Sequence, residues 1–474
     1  MLEPVPTPDL LSALAAVVGE RGLLLGGDAE PYCRDWRQLY RGRTPAVVRP
    51  SDTAELAAVV RLCVQRRVPM VPQGGNTSMV GGAVPSEDGS QVVLSLARMN
   101  RVRDVDPLDM TMVVEAGAPW RVAQDAAAAQ GCLLPLSISS EGTAQVGGIL
   151  SCNAGGNNTV RYGNARDLVL GIEAVLPDGE VLHALRRLRK DNTGYALRHL
   201  LVGAEGTLGL ITAAVLKLSP RPVATEVALC AVRSPEAATR LFRRFQHQDA
   251  ASVQAFEYMS GTGMGFVLRR IPGATLPLAN PAPHYALVEL ATTRAGAGLR
   301  ALLESVLEAA LEEGLVQDAA IAESEGQRQA IWKLREEHAE AQKREGASVK
   351  NDVSVPVSRV PDLIARATAA CEALIPGVRA VPFGHLGDGN IHFNLEQPQD
   401  WSAADFLARD HDIMDTVNEV VRDLGGSFSA EHGVGRLKPY MMPGWRGGAE
   451  LDTMRRIKAA LDPLGLMNPG KLLP

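Results

Sequence analysis

Two histidines in one short segment of the C-terminal half are spaced so that both could bind one metal ion. The segment is FGHLGDGNIHFNL, residues 383–395, in which His385 precedes a Gly-Asp-Gly turn. His392 lies in an alternating pattern typical of a strand, on the same face as Asn394. A turn that folds the chain back would bring the two imidazoles together. Taken alone, the pair is explained equally well as two structural histidines, and Asp388 is interpreted as a turn residue.

A carboxylate and a third imidazole stand together later in the chain. Glu431 and His432 lie in SAEHGVG, residues 429–435, where the flanking residues are small. Two histidines and one carboxylate, with one coordination position left open, are the composition of a catalytic divalent-metal site. The sequence therefore predicts a metal site made of His385, His392 and Glu431, with His432 beside it.

Glycine-rich segments in the N-terminal half could bind the phosphates of an extended ligand. PQGGNTSMVGG, residues 72–82, follows a predicted strand, and its small side chains would let backbone N–H groups converge on an anion. It is neither a Walker loop nor a GxGxxG motif, and alone it would be interpreted as a hairpin turn. The further segments are GTAQVGG (142–148), NAGG (153–156), RYGNARD (161–167) and EGTLGLIT (205–212). Together they predict a long, flat ligand that carries phosphates, with the dimensions of FAD.

These segments, in this order, resemble the flavin-binding domain of the vanillyl-alcohol oxidase and p-cresol methylhydroxylase family. The most similar branch contains FAD-dependent D-2-hydroxy-acid dehydrogenases: D-2-hydroxyglutarate dehydrogenase, D-lactate dehydrogenase and the flavin subunit of glycolate oxidase. KDNTGY, residues 190–195, is a further match, and the resemblance extends from about Thr44 to the C-terminus. It implies a flavin-dependent oxidoreductase.

The resemblance also implies which residues contact FAD through backbone and polar groups. The matching positions are Gln73, Gly74, Gly75, Asn76, Thr77, Ser78, Thr143, Gly147, Gly148, Asn153, Gly155, Tyr162, Gly163, Gly206 and Ile211. Ser139 and Ile149 depart from the family pattern, in which a glycine and an asparagine are common. Because the pyrophosphate loop contains no histidine or cysteine, we expect FAD to be bound non-covalently.

Two basic residues are candidates for binding a substrate carboxylate. Arg335 ends a helical segment and Lys350 precedes a strand-like run, so each alone would be interpreted as a solvated charge. An arginine offers a two-pronged clamp and a lysine a point charge. The resemblance implies that both contact the substrate carboxylate and that Asn394 orients the substrate. Ala339 departs from the pattern, because a hydroxyl-bearing residue often binds substrate there in the hydroxyglutarate enzymes.

The activity implied is the oxidation of a D-2-hydroxy acid to the 2-oxo acid. In the resembling family the matching metal ligands bind zinc or manganese, which would acidify the substrate hydroxyl. His432 is predicted to take the hydroxyl proton as general base, while hydride passes from C2 to N5 of the flavin. The substrate is predicted to be D-2-hydroxyglutarate, D-lactate or a related acid.

The reduced flavin would pass its electrons to an acceptor such as electron-transferring flavoprotein or a quinone. The sequence leaves open whether the protein forms a homodimer.

Two alternative functions remain at this stage. A metal-dependent hydrolase would use the same histidines but would leave the glycine-rich segments unexplained. An FAD-carrying subunit of a multi-subunit glycolate oxidase would bind flavin but would need a partner for turnover.

Composition and charge are those of an ordinary globular protein and narrow the function classes. The 474 residues are 46% hydrophobic and 22% charged, which excludes a disordered, collagen-like or coiled-coil chain. A net charge of -6 provides no basic field for nucleic acid. The 6 cysteines lack CxxC spacing and predict neither a thiolate metal site nor a disulfide framework. Without a signal peptide or an apolar run long enough to span a bilayer, a cytoplasmic protein is expected, and peripheral membrane contact is left open.

The elements that must position these residues are predicted from periodicity. Residues 9–20 and 53–67 predict helices, the second capped by Ser51 or Thr53, and 168–184 predicts a hairpin. Residues 135–167 lack periodicity and predict a long loop or a chain of turns.

Together with the resemblance, these elements predict an α+β fold. It would contain a two-subdomain FAD-binding domain of the p-cresol methylhydroxylase type and a substrate domain with an antiparallel sheet flanked by helices. The predicted parts are an N-terminal helical lead-in (1–43), the FAD-binding domain (44–222), the substrate and metal domain (223–430) and a C-terminal segment that returns to the FAD domain (431–474).

Overall fold

The chain passes from one folded unit to another at Pro222 and returns at Glu431. The structure is a computed structural model that describes residues 8–474. The first unit comprises the described chain up to Gly155, Gly163–Arg221 and Glu431–Pro474; the second comprises Gly156–Tyr162 and Pro222–Ala430. Among residues 8–474, no helix is both long and apolar enough to cross a membrane.

Short strands of the first unit form three sheets. Numbered in chain order, they are β1 Leu23–Leu24, β2 Val47–Val48, β3 Met70–Gln73, β4 Val92–Ser95, β5 Val102–Asp106, β6 Thr111–Glu115, β7 Cys132–Leu133, β8 Val169–Val175, β9 Val181–Ala184, β10 Leu210–Lys217 and β11 Ser219–Pro220. One four-stranded sheet has the order β1-β2-β4-β3, with β2 and β3 parallel to β4. A five-stranded antiparallel sheet has the order β5-β6-β10-β8-β9, and β7 pairs with β11.

Helices cover these sheets and share a large apolar core with them. The helices of the first unit are Pro8–Val18, Thr53–Gln65, Trp120–Ala129, Val146–Cys152, Ala165–Leu168, Arg198–Leu201, Met442–Arg446 and Ala449–Leu461. The core includes Leu56 of a helix, Met70 of the first sheet and Ile172 of the second, all fully buried. The predicted hairpin is confirmed as β8 and β9, with Gly179 at φ 85° in its turn.

Two local predictions in the first unit need correction. The helix at residues 53–65 is capped by Asp52, not by Ser51 or Thr53, because the Asp52 side chain accepts the N–H of Glu55 at 2.8 Å. Residues 135–167 are not loop throughout but contain three short helices, Val146–Cys152, Thr159–Tyr162 and Ala165–Leu168. Helices of one or two turns are too short to show a periodicity, and local caps such as Asn164 N–H to Asp167 at 2.9 Å contribute to their stability.

The second unit is built on one antiparallel sheet. Its strands are β12 Ala224–Val232, β13 Val253–Ser260, β14 His284–Thr292, β15 Val316–Ile321, β16 Ser348–Val349, β17 Asp352–Ser354, β18 Arg379–Gly384 and β19 Asn390–Glu396. These 8 strands have the order β15-β12-β14-β13-β18-β19-β16, and β17 also pairs with β19. The long strands are nearly fully buried, as expected for a sheet covered by helices.

Helices flank this sheet. They are Thr159–Tyr162, Pro235–Asp249, Gly261–Arg270, Leu299–Glu312, Glu325–Glu336, His338–Lys343, Val360–Leu374, Ala403–Leu407 and Asp410–Asp423. Leu334 of one helix, Val267 of another and Phe383 of β18 belong to the same buried cluster. The predicted α+β fold, with an antiparallel sheet flanked by helices, is confirmed.

Candidate active site

Two neighbouring strands of the second unit bring the predicted histidines together. β18 ends at Gly384, and a short turn after His385 leads into β19, where His392 pairs with Phe383. Gly389 occupies the left-handed region at φ 85°, which lets the chain reverse. The imidazole centroids of His385 and His392 lie 6.1 Å apart and the rings are inclined by 73°.

A buried carboxylate connects His385 to Arg335. Glu257 of β13 is fully buried, and its Oε1 lies 2.7 Å from Nδ1 of His385. The other oxygen, Oε2, accepts a hydrogen bond from Nε of Arg335 at 2.7 Å. Burial tends to raise the pKa of Glu257, but the charges and hydrogen bonds of His385 and Arg335 lower it to about 2. Glu257 is therefore an ionised carboxylate that orients both side chains.

A second carboxylate faces the other histidine. Asp352 pairs with His392 in the sheet, and its Oδ1 lies 3.5 Å from Nδ1 of His392. Asp352 is 2% exposed and also accepts a hydrogen bond from the side chain of Asn390 at 2.9 Å. Asp388 accepts the N–H of Asn390 at 3.0 Å, as expected for a turn residue, and burial raises its pKa to about 6.

The two histidines meet the requirements for metal ligands. In each, Nδ1 faces a buried carboxylate, so Nε2 is the nitrogen that a metal would take. A carboxylate behind each imidazole fixes its tautomer and increases its basicity. A pair of imidazoles is a donor set suited to a divalent transition metal such as zinc.

The substrate candidates Lys350 and Asn394 are joined through a third side chain. Lys350 donates to Oε1 of Gln342 at 3.2 Å, and Nδ2 of Asn394 donates to the same oxygen at 2.9 Å. Arg335, the third candidate, is 7% exposed and lies over the ring of Phe383 at 5.1 Å. Ala339 is exposed, one helical turn before Gln342.

Glu431 and His432 are the first residues of the last segment of the first unit. The segment that follows them is anchored by Glu205. The Glu205 carboxylate accepts the backbone N–H groups of Val434 and Gly435, each at 2.7 Å. Glu205 itself has φ 50°. This contact fixes the backbone immediately after His432.

In the second unit, the residue before Glu431 is tied to the histidine strands. The N–H of Ala430 donates to the carbonyl oxygen of Asp352 at 3.2 Å. Ser354 and Ser427 also exchange backbone hydrogen bonds, at 3.1 and 2.8 Å. The chain that leads into Glu431 therefore runs beside β17.

Three glycine-rich segments converge in the first unit. A Cβ atom placed on Gly74 would lie 3.5 Å from the Cα atom of Gly148, and one on Gly206 would lie 3.0 Å from the side chain of Pro72. A Cβ on Gly75 would collide with the backbone of Thr143. Glycine is required at this last position because two backbones meet there. By contrast, a Cβ on Gly148 would meet no protein atom within 4 Å, which leaves room for a ligand.

Other predicted FAD contacts have scaffold roles in the first unit. Gln73 is 3% exposed, and its Nε2 donates to the carbonyl oxygens of Tyr32 and Ala83 at 2.9 and 2.8 Å. Asn76 and Asn153 both have positive φ, and their side chains bind backbone groups of neighbouring loops. Ile211 is buried in β10.

Tyr162 lies in the second unit, unlike the other predicted FAD contacts. Its helix, Thr159–Tyr162, packs against the turn that follows His385: a Cβ on Gly387 would lie 3.2 Å from the side chain of Val160. Arg161 secures this helix by donating to the carbonyl oxygen of Ala291 at 2.8 Å. A segment of the glycine-rich region therefore lies beside a predicted metal ligand within one unit.

Glu257, Asp352, Glu205 and Gln342 were not predicted from the sequence. Glu257 could have been recognised from the sequence, because it is the only charged residue in the buried strand VQAFEYMS. Asp352 follows Lys350 closely but resembles an ordinary strand residue. Glu205 and Gln342 have no distinguishing pattern, because their partners are remote in sequence or offer only backbone groups.

Comparisons with known proteins agree with this architecture. Residues 44–185 match a family described as FAD binding domain, and residues 221–472 match the C-terminal domain of FAD linked oxidases. Among solved structures, p-cresol methylhydroxylase has a TM-score of 0.75 at 16% identity, covering 98% of this chain and 96% of that one. Alkyldihydroxyacetonephosphate synthase has a TM-score of 0.74 at 18% identity, covering 99% and 86%. At these identities the likeness concerns the fold.

Curated relatives are similar over nearly the whole chain. D-2-hydroxyglutarate dehydrogenase of Xanthomonas citri pv. viticola is 36% identical over 98% of this chain and 97% of its own length. The enzyme of the same name from Stutzerimonas stutzeri is 34% identical, covering 98% and 99%. The mitochondrial enzyme of Bos taurus is 36% identical, covering 99% and 84%. The chain therefore belongs to the FAD-linked oxidase family, as an FAD-dependent oxidoreductase of its D-2-hydroxy-acid dehydrogenase branch.

Proposed function

We propose that this protein oxidises D-2-hydroxyglutarate to 2-oxoglutarate with FAD and a divalent metal. The observation that carries the proposal is the pair His385 and His392, each backed by a buried carboxylate through Nδ1. The substrate is proposed because several full-length relatives carry the name D-2-hydroxyglutarate dehydrogenase.

The metal would be zinc or manganese, held by Nε2 of both histidines and by Glu431. Glu431 is proposed as the third ligand because it follows Ala430, which is hydrogen-bonded to Asp352 beside the histidine strands. A divalent ion in this site would supply Lewis acidity to the substrate hydroxyl. An open coordination position distinguishes such a catalytic site from a structural one.

Arg335, Lys350 and Asn394 would bind and orient the substrate. Because Nε of Arg335 is engaged by Glu257, the terminal NH groups are the ones proposed for the substrate carboxylate. Lys350 would add a positive charge and Asn394 an amide to the same anion.

His432 would take the proton of the substrate hydroxyl. An imidazole is suited to this role because its ordinary pKa lies near neutral pH. Glu205 would act indirectly, since its contacts with Val434 and Gly435 hold the backbone that follows the imidazole.

FAD would be held non-covalently by the converging glycine-rich segments and, when bound, would supply the acceptor for the hydride. The open space at Gly148 supports this placement. Tyr162, which is proposed to contact FAD, ends a helix that lies beside the turn after His385. Electrons would then pass to electron-transferring flavoprotein or a quinone.

A dye-linked assay tests the proposed function. The purified protein is supplied with an artificial electron acceptor and, separately, with D-2-hydroxyglutarate, its L enantiomer, D-lactate and glycolate. We expect the highest kcat/KM for D-2-hydroxyglutarate and no turnover of the L enantiomer. A preference for glycolate, or turnover only after a partner protein is added, would contradict the proposal and favour a glycolate oxidase subunit.

The variant His432→Ala tests the general base. We expect loss of turnover by at least about 100-fold, because a positioned base contributes on that order, with the yellow colour and the fold retained. His247→Ala serves as a matched control, since His247 is an exposed histidine of the helix Pro235–Asp249, remote in sequence from the predicted site residues. Normal turnover by the His432 variant would eliminate this assignment.

A further inference from the structure

The amide of Gln342 is placed between two side chains that the proposed function assigns to the substrate. Gln342 is fully buried in the helix His338–Lys343. Its Oε1 accepts hydrogen bonds from Lys350 at 3.2 Å and from Asn394 at 2.9 Å. A single oxygen therefore sets the distance between the ammonium group of one and the amide of the other.

The orientation of each amide is determined by groups that can only donate. The backbone N–H of Asn351 donates to Oδ1 of Asn394 at 3.3 Å, so Nδ2 of Asn394 must face Gln342. The ammonium group of Lys350 has no acceptor atom. Gln342 must therefore present its oxygen to both, and rotating its amide would bring donor against donor.

This arrangement leaves the other end of Gln342 unsatisfied. Nε2 of Gln342 is buried and has no hydrogen-bond partner among residues 8–474. A buried N–H without a partner lowers stability. The position of Oε1 between Lys350 and Asn394, rather than the unsatisfied N–H, is therefore what Gln342 contributes here.

We propose that Gln342 is a positioning residue that holds Lys350 and Asn394 in the geometry required by the substrate carboxylate. The inference rests on the proposed function and extends it to a residue that does not itself touch the reacting atoms. Without Oε1, the ammonium group and the amide would lose the contact that couples them, and more entropy would be lost in ordering them when substrate binds.

The variant Gln342→Leu removes the shared oxygen and keeps the volume. We expect KM for D-2-hydroxyglutarate to rise about tenfold, since at least one charge-assisted hydrogen bond loses its acceptor, while kcat changes less. The Kd of 2-oxoglutarate, measured by isothermal titration calorimetry, should rise by a similar factor. The melting temperature should fall only modestly, because removal of the unsatisfied N–H partly offsets the acceptor lost by Lys350 and Asn394.

Two controls separate positioning from general packing. Gln254→Leu removes another buried glutamine of the same unit, whose Nε2 donates to Oε1 of Glu289 and whose own Oε1 has no hydrogen-bond partner among the described residues. It should leave KM and Kd unchanged. When Lys350 is already replaced by alanine, the further change Gln342→Leu should raise KM by clearly less than tenfold, because the two residues act through one contact.

These measurements test the proposed oxidation of D-2-hydroxyglutarate and the positioning role of Gln342 separately. If the wild type oxidises none of the tested acids, the proposed function fails, and the Kd of 2-oxoglutarate still decides the inference. If the wild type is active but Gln342→Leu leaves KM and Kd unchanged, the inference alone is overturned. It is also overturned if the variant is less stable than the wild type and its folded fraction has normal KM and Kd.

Discussion

The Glu257 carboxylate lies 2.7 Å from Nδ1 of His385, with its other oxygen on Arg335. One buried side chain of β13 therefore orients a proposed metal ligand and a proposed substrate ligand at once. A change at Glu257 should disturb metal binding and substrate binding together.

The variant Glu257→Gln should weaken metal binding about 10- to 100-fold and reduce kcat/KM with it, because outer partners of metal-bound histidines have effects of that size. The amide would also place an N–H against Nε of Arg335. Bound FAD should remain. Metal content after dialysis against a competing chelator, together with dye-linked rates, measures the effect.

Glu289→Gln is a matched control for this variant. Glu289 is a buried carboxylate of the neighbouring strand β14, but it bonds to Trp332 and Gln254 rather than to a site residue. Metal content and rates should be unchanged in it. If Glu257→Gln and Glu289→Gln had the same metal content and the same rates, Glu257 would not be required for metal binding.

Filling the open space at Gly148 should remove FAD. A valine side chain there would occupy the volume beside the glycine-rich segments, where a Cβ meets no protein atom within 4 Å. The variant Gly148→Val should be purified folded but colourless, as judged by the ratio of flavin to protein absorbance. Gly142→Ala, an exposed position of the same segment, should keep its flavin. Full flavin content in Gly148→Val would place the cofactor elsewhere.

Removing the Glu205 carboxylate should release the segment that follows His432. In Glu205→Ala the N–H groups of Val434 and Gly435 lose their acceptor, which should lower the free energy of unfolding by roughly 2 to 4 kcal/mol. Turnover per bound flavin should fall at least about tenfold, because even a small displacement of a catalytic group strongly reduces the rate. Denaturant titration and dye-linked rates measure the two effects.

Glu87→Ala is the control for the Glu205 variant. Glu87 pairs with Arg436 of the same segment at 3.3 Å, but this pair is exposed. Its loss should change the free energy of unfolding by less than about 1 kcal/mol. Unchanged turnover per flavin in Glu205→Ala would refute the anchoring role.

Glu396 should make the stability of the protein depend on pH. It is fully buried at the end of β19, and burial raises its pKa from 4.5 to about 8 against the opposing charges of Lys350 and Arg379. At pH values between 4.5 and about 8, Glu396 keeps its proton in the folded chain but releases it in the unfolded chain. The free energy of unfolding should therefore fall as pH rises through this interval, by up to about 1.4 kcal/mol per pH unit from this group.

In the variant Glu396→Gln the side chain is neutral at every pH, so its free energy of unfolding should not show this fall with rising pH. Denaturant titrations from pH 5 to about pH 8 should show the variant gaining stability relative to the wild type as pH increases. Glu308→Gln, which changes an exposed carboxylate of the helix Leu299–Glu312, should follow the wild type. Parallel curves for wild type and Glu396→Gln would show that Glu396 is ionised in the folded state.

Local patterns sufficed to predict the elements that carry the histidines. The Gly-Asp-Gly turn and the alternation after it correspond to the reversal at Gly389 and to β19. The hairpin of β8 and β9 was predicted for the same reason, since turn residues and alternation are local properties. Asp52 was missed as a cap because three adjacent residues are all good caps and only the geometry selects among them.

The groups that orient the site could not be predicted in this way. Glu257 is 128 positions from His385, and only the pairing of β13 with β18 brings them together. Asp352 reaches His392 through the register of β17 and β19. Such contacts depend on sheet order and register, which periodicity does not specify. Gln342 is a further case, because one partner, Asn394, lies on β19 and the other, Lys350, lies between β16 and β17.

Anaerobic flavin reduction tests the central claim most directly. The holoprotein is mixed with D-2-hydroxyglutarate without any acceptor, before and after verified metal removal, and the visible spectrum is followed by stopped flow. The account predicts rapid bleaching of the untreated protein, little bleaching after metal removal, and recovery on adding zinc or manganese. A flavin that dithionite reduces but D-2-hydroxyglutarate does not would contradict the proposed substrate, and bleaching that survives metal removal would contradict the role of His385 and His392.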